Sequence, residues 1–478
     1  MSTFSGLSTA LSSLMAQRIA LEVSGQNIAN ANTAGYTRQR ADLEALTASS
    51  VSSLFSTPVT SGSGVSATGI ARLGDQFADS RLRFATAQAS HHSSIATAFS
   101  RLESVVSEPA DTGVASGLQA FWSAWEDLSN GPDSSANRTA VMGAGQALVG
   151  QLADTYRAYE AQWNAARSDG QSLVAEVQAS AQGVAELNEQ IRSVLAAGSS
   201  ANELMDQRDL LVTRLSALVG ATATAQHDGT VTVMVSGNPL VQGDRATGIT
   251  LGGSAVMTQA LGEPAPTAAT AHLEWADGTA LVLNGGELAG IVTALQPTSL
   301  GGPLSSSLDA VNGLASDVAA RVNALHSAGT TLAGAPYDTG VDFFSFQDGM
   351  PPALGLAVAI TDPQHVAAAT AGAGAFDGSV ASALSQIGAS QDGPDATWRE
   401  FVVELGVTAA AATRRASVSE TARTTAQSVQ LAATSVDVDE EVTNMLAYQR
   451  AYEGAARVLT AMDEMLDTLI NRTGVVGR

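Results

Sequence analysis

Residues 437–470 read DVDEEVTNMLAYQRAYEGAARVLTAMDEMLDTLI. Within this stretch Val438, Val442, Met445, Tyr448, Tyr452, Ala455, Leu459, Met462, Leu466 and Leu469 succeed one another at steps of three and four, with one three-residue slip. That spacing lays a single apolar stripe along a helix. Asp437 stands where an N-cap belongs, and Glu440 is placed to reach back to it as a D-x-x-E variant of the capping box. At 1.5 Å per residue, a helix over 438–470 is about 50 Å long, more than a compact domain needs. The entropy of ordering so long a segment demands that its apolar face be covered by a partner.

The other end of the chain carries a weaker version of the same pattern. Phe4, Leu7, Leu11, Leu14, Arg18, Leu21, Gly25 and Ile28 alternate by three and four, with Arg18 and Gly25 as soft spots. Each stripe therefore needs a partner, and without one frayed or disordered termini are expected.

Between them the periodicity predicts helices over 75–107, 134–167, 171–196, 202–219 and 397–434, with connections at Gly131-Pro132 and Gly198-Ser199-Ser200. The middle changes character. Val231, Val233 and Val235 alternate with polar neighbours after an Asp228-Gly229 turn, and His272–Trp275, Asp277-Gly278 and Leu281–Leu283 spell a second hairpin. The segment 45–74, rich in Ser, Thr and Gly, reads as an extended spacer, and 335–396 as loops and short strands. The expected fold is mainly α with an inserted small β domain. Residues 1–74 and 436–478 form the terminal coiled coil with its spacer. Residues 75–220, 286–334 and 397–435 form a long-helix bundle, and 221–285 with 335–396 a β-rich outer domain.

Composition excludes more than it identifies. The 478 residues carry 23 basic and 46 acidic side chains, a formal charge of −23, and every basic residue is Arg. Such a surface repels phosphate backbones and anionic lipid heads, so neither nucleic acid nor membrane insertion is expected. There is no Cys, which removes disulfides, thiolate chemistry and Cys-based zinc sites. The start, Met1-Ser2-Thr3-Phe4-Ser5, lacks the basic and apolar regions of a cleavable secretory signal, so none is expected.

Chemistry-bearing motifs are scarce. Without Lys there is neither a Walker A loop nor a Schiff-base catalyst, and no G-x-S-x-G or H-E-x-x-H occurs. His91-His92 reads as a solvated helix face, the acids around Asp437 as helix capping, and Phe121, Trp122 and Trp125 as a core anchor. No catalytic residue, cofactor or metal is expected. One segment resists so plain a reading. Asn27-Ile28-Ala29-Asn30-Ala31-Asn32-Thr33-Ala34-Gly35-Tyr36-Thr37-Arg38-Gln39 puts more turn chemistry after a heptad seam than a helix exit requires.

This run, together with Gly6-Leu7, resembles the N-terminal signature of flagellar rod, hook and hook-associated proteins, and its Gly35-Tyr36-Thr37-Arg38-Gln39 continuation is most similar to the hook-associated protein 1 family. Leu187-Asn188-Glu189-Gln190-Ile191, Asp206-Gln207-Arg208-Asp209 and Asp228-Gly229-Thr230-Val231 resemble that family's central region, and Val438 to Asn471 its C-terminal helix. Ala34 departs from the pattern, standing where the family usually has Pro. The resemblance implies a non-catalytic subunit that joins hook to filament by helical self-assembly. It also implies paired terminal helices lining the axial tube, export by the flagellar type III system without a cleaved signal, and an extracellular place in the flagellum. The implied partners are further copies of itself, the hook protein, hook-associated protein 3 as the second junction protein, and an export chaperone on the C-terminal helix.

On this reading the assembly interface consists of Phe4, Leu7, Leu11, Leu14, Leu21 and Ile28, then Val442, Met445, Tyr448, Tyr452, Leu459, Met462, Leu466 and Leu469. Asn30, Asn32, Gly35, Tyr36 and Arg38 form the turn that sets register. The rivals are another axial subunit (hook-associated protein 3, flagellin, a rod or hook protein), a secreted membrane-active translocator, and a cell-wall hydrolase. The Gly35–Gln39 run, the acidic C-terminal helix and the lack of a locatable carboxylate pair argue against them in turn.

Overall fold

The computed structural model describes residues 3–46, 62, 64–106, 108–261, 269–334, 339–468 and 470. The chain opens with helix α1 (Thr3–Asn30) and an antiparallel hairpin of β1 (Gln39–Leu46) and β2 (Gly64–Arg72). Four helices follow: α2 (Gln76–Val106), α3 (Val114–Asn130), α4 (Ser135–Ala196) and α5 (Asn202–Val219). The strands β3 (Thr222–Ala225), β4 (Val231–Val235), β5 (Asn238–Gln242) and β6 (Arg245–Ala246) form one antiparallel meander. After β7 (Ile249–Gly252) and the single turn α6 (Met257–Ala260), β8 (His272–Trp275) and β9 (Ala280–Leu281) complete a second, three-stranded sheet. Next come α7 (Glu287–Ala294), α8 (Pro303–His326), β10 (Gly329–Thr330), β11 (Phe344–Phe346), α9 (Pro352–Gly355), β12 (Leu356–Val358), β13 (Ala369–Thr370) and α10 (Ser379–Ser385). The long α11 (Pro394–Thr434) and α12 (Val438–Asp467) close the described chain. Among the described residues no helix is long and apolar enough to cross a membrane.

The mainly α class with a small sheet region in the middle is as the periodicity implies, and both hairpins lie where the Asp-Gly turns put them. Several boundaries differ, each for a physical reason. The described part of the 45–74 segment is no open spacer, because 64–72 pair with 39–46 around a bulge between Asp42 and Leu43. Helix α4 runs unbroken for 62 residues across the break expected near 168–170. Gly170 is there for closeness: a Cβ at this position would stand 3.1 Å from Leu251 Cδ2 and 3.3 Å from Ile291 Cγ2, so a small residue lets β7 and α7 approach the helix.

Two apolar cores result, and α4 runs through both. The larger one holds Leu118, Phe121, Trp125, Tyr159 and Trp163 with residues of α8. Phe343, Phe344, Leu356, Val366, Val380 and Leu384 also lie in it, as do Met257, Ala260 and Ala271, so residues from both parts of the segment grouped from sequence as an outer domain reach the bundle core. Apolar residues in short irregular segments leave no periodic signature, which is why their allegiance was hidden. The smaller core joins Val177, Ala181 and Val184 of α4 to Val212 and Leu215 of α5 and the two sheets. Trp122 and Trp125 are core residues, and Trp122 Nε1 also donates to Asp395 Oδ2 at 2.7 Å.

His326 sits fully buried beside Trp125 and Phe343. Its Nε2 accepts from the Ala367 amide at 2.8 Å and its Nδ1 faces the Val341 carbonyl, so the neutral imidazole stitches α8 to the loops around it. Burial holds its pKa down to about 4.

Candidate assembly interface

The terminal helices α1 and α12 lie against each other, with the β1–β2 hairpin along α1. Helix α12 starts as anticipated: Asp437 Oδ1 accepts from the amides of Asp439 at 3.0 Å and Glu440 at 3.2 Å. The reciprocal half of the capping box is not made, because Glu440 turns instead to Arg38, 3.0 Å away. Along α12 the less exposed side carries Met445, Tyr448, Ala455, Leu459, Met462 and Leu466, and Met462 lies over Gly6 of α1. Val442 and Tyr452 stand outside this strip, 44% and 39% exposed.

On α1 the buried face is rotated from the Leu seam. Ala10, Ala16, Ala20, Val23, Ser24 and Asn27 are the buried residues, small enough for backbone and hairpin to come close. Leu7, Leu14, Leu21 and Ile28 are only partly covered, and Leu11 and Met15 are 47% and 58% exposed. Of the stripe legible in the sequence, Leu11 is thus left open, while Leu7, Leu14, Leu21 and Ile28 are partly buried. Leu469 lies outside the described residues, and of Phe4 only the backbone is described.

The turn after α1 organises what surrounds it. The Tyr36 amide closes a turn onto the Thr33 carbonyl at 3.2 Å, with Gly35 at φ +78°, the left-handed geometry a type II turn requires at its third position. Ala34 occupies the second position, the place where a Pro would preset φ. Asn27, wholly buried, then acts as a surrogate backbone: it donates to the Gln39 carbonyl at 2.8 Å and accepts from the Gln39 amide at 2.9 Å and the Tyr36 hydroxyl at 2.9 Å. Burial first, then Glu203, Asp206 and Glu441, pushes the Tyr36 phenol up to about 12, so it stays a donor.

Beyond Tyr36 the chain is pinned from two sides. Arg38 reaches α12 with Nε 2.7 Å from Glu441 and Nη2 3.0 Å from Glu440, and its amide donates to the Thr434 carbonyl at 2.9 Å. Burial works against the Arg38 charge, but the bonds to Glu440 and Glu441 outweigh it and raise its pKa. On the other side Asp206 of α5 accepts from the Thr37 amide at 3.2 Å and stands 2.7 Å from Arg72 of β2. Burial raises the Asp206 pKa although Arg72 opposes it. Asp209 pairs with Arg72 at 2.9 Å and with Arg83 of α2 at 3.5 Å. Asn202 completes the link by donating to Gln39 Oε1 at 3.1 Å and the Ile70 carbonyl at 3.0 Å.

The same helix reaches the sheet through Arg208, which donates to Asn188 Oδ1 at 3.3 Å and to the Gly229 carbonyl at 2.7 Å. The three central motifs therefore meet on α5. Of the residues assigned to the turn, Gly35, Tyr36 and Arg38 sit in this hub, whereas Asn30 bonds only locally, to Gln26 and Thr33, and Asn32 is exposed. Asn27, Thr37, Gln39 and Arg72 were not singled out. Buried polar residues at a helix exit are the signal for them, and burial is what sequence hides. Among the described residues no group of three or more His, Cys, Asp or Glu is placed to hold a metal.

The family model for the flagellar hook-associated protein FlgK helical domain matches residues 99–344. Those for the flagella basal body rod protein and the flagellar basal body rod FlgEFG protein C-terminal region match 7–37 and 430–472, the two paired ends. The chain is 32% identical over 521 residues to flagellar hook-associated protein 1 of Bacillus subtilis, covering 100% of each chain. It is 30% identical over 361 residues to the Escherichia coli protein of that name, covering 73% of this chain and 61% of that one. The solved flagellar hook junction protein FlgK from Burkholderia pseudomallei has a TM-score of 0.47 and 25% identity, over 56% of this chain and 47% of that one. The chain belongs to the flagellar hook-associated protein 1 family.

Proposed function

We propose that this chain is a non-catalytic structural subunit at the junction between flagellar hook and filament, built into the axis by self-assembly of its terminal helices. One observation carries the reading: two helices that pair with each other still leave apolar stripes open. Leu11 and Met15 on α1, and Val442, Leu446, Val458 and Met465 on α12, are 44–58% exposed. Isolated exposed apolar residues are ordinary, but a run of them along both members of a helix pair marks a surface that other subunits cover. The interface comprises Leu7, Leu11, Leu14, Leu21, Ile28, Val442, Met445, Tyr448, Tyr452, Leu459, Met462 and Leu466, extended by Phe4 and Leu469. Its neighbours are copies of the chain, the hook protein and hook-associated protein 3. Before export the amphipathic α12 is the segment for a chaperone groove. Passage through the flagellar type III apparatus without a cleaved signal belongs to the same reading.

Electron microscopy of cells lacking the gene tests this. Bare hooks with flagellin lost to the medium are expected; intact flagella would sink the proposal, and missing hooks would move the chain to the rod or hook. Leu11→Asp and Leu459→Asp are expected to reduce filament-bearing cells at least about tenfold, since a buried unpaired carboxylate costs several kcal/mol. The purified variants should keep the bundle's thermal transition.

A further inference from the structure

Helix α11 keeps one face open through its first two-thirds. Glu400 and Glu404, then Val407, then Arg414 and Arg415, then Val418 are all exposed, Val407 by 62% and Val418 by 71%. At 3.6 residues per turn they fall in one sector about 100° wide. The opposite side, with Trp398, Leu405, Ala409 and Ala412, is buried. The open stripe is divided by charge: acidic first, basic after, with an apolar strip between. Among the described residues none of these four charges has an ion-pair partner. Glu404 and Arg414 lie ten residues apart, about 15 Å, too far for a pair within the helix. The basic half also borders an open cleft against α2, lined by His92, Ala411, Arg414, Arg415 and Val418. On a chain of net charge −23, a basic cleft with no acid of its own to face is set for an acidic surface.

The stripe contains that surface in the right geometry. From Glu404 to Arg415 is eleven residues, and from Val407 to Val418 is also eleven, three helical turns and about 20°. A copy of α11 running the same way, displaced by about 16 Å and crossing at the inclined angle that packed helices prefer, sets acid against base and Val407 against Val418 in one movement. The crossing keeps every second helix from falling on one axis. We propose that the outer face of α11 is a contact between successive copies of this chain, the acidic half of one helix seated on the basic cleft of the next. The direction rests on the axial-subunit reading, because a contact between unlike halves leaves one half of each copy free for the next and so propagates. An antiparallel pair would consume both halves and stop at a dimer.

The absence of Cys makes the test clean. Full-length chains carrying Val407→Cys, Val418→Cys or both replace the normal chain in cells. Isolated hook–filament assemblies are blotted for the chain and then oxidised. The double variant is expected to give a ladder of dimers, trimers and larger species, and each single variant only monomer. Dimers from Val407→Cys alone would overturn the head-to-tail arrangement, and chain present in the assemblies without any cross-link would overturn the contact. If the unsubstituted chain were missing from the assemblies, the axial reading itself would have failed.

Charge reversal serves if the cysteine variants do not incorporate. Arg414→Glu with Arg415→Glu, and Glu400→Arg with Glu404→Arg, should each lower incorporation about tenfold, and the fourfold combination should recover it to within about twofold. Failure of the combination to recover, with helicity unchanged, would count against the pairing.

Discussion

Gly35 shows how much one backbone angle decides. At φ +78° it lets the chain turn from α1 into the hub, and a Cβ there would come within 2.6 Å of the Leu210 side chain. Gly35→Ala is expected to cost about 1–2 kcal/mol in urea unfolding through the left-handed backbone alone. Leu210 is 45% exposed and can move aside, so a second change, Leu210→Ala, should recover only the contact part of the loss. His326 is the residue through which pH acts on the larger core. Its folded pKa of about 4 lies below the unfolded 6.5, so between those values the unfolded chain binds the extra proton. Its contribution is complete above pH 6.5, shrinks as pH falls to about 4, and amounts to about 3 kcal/mol in all. Unfolding curves of the wild type and His326→Gln across that range should differ by this slope; parallel curves would show that the imidazole is not held neutral. Gly35 was legible as turn chemistry, but nothing in the pattern marks His326 as buried, since a helix-end His is as readily solvated.

At the scale of elements, α5 is the keystone, receiving the terminal hairpin on Asp206 and Asp209 and the sheet on Arg208. Asp206→Ala takes away the acceptor of the Thr37 amide and one partner of Arg72. It is expected to cost about 2–3 kcal/mol, because the Thr37 amide loses its acceptor in a buried place and Arg72 is left with Asp209 alone to balance its charge. Hydrogen exchange should quicken across 37–46 and 64–72 while 231–242 keeps its protection; uniform loosening would refute the keystone role. The sequence placed α5 to the residue and both Asp-Gly hairpins, where local chemistry and pattern agree. It missed the β1–β2 hairpin because the strands are separated by seventeen residues, mostly Ser and Thr, without the short Asn-Gly or Asp-Gly turn that marks a tight hairpin. The buried side of α1 is rotated from the Leu stripe and built of Ala10, Ala16, Ala20, Val23, Ser24 and Asn27, residues mostly too small or polar to give a heptad signal.

At the scale of the whole molecule, two cores share one helix, and the larger takes in residues from both parts of the expected outer domain, Met257 and Ala271 as well as Phe343 and Val366. Periodicity could not foresee this, because it reports which face is apolar and not which neighbour covers it. A shared helix also couples the cores. Pulled between a residue of β4 and one of α10, the protein should extend in a single rip; two well-separated rips would show that α4 yields at Gly170 and that the cores unfold apart.

The 62 residues of α4 also have a mechanical meaning. A helix of that length is a strut of about 93 Å, clamped at one end by aromatic rings and at the other by two sheets. Torsion entering at either clamp travels down a continuous hydrogen-bonded rod, with no loop in between to absorb it as slack.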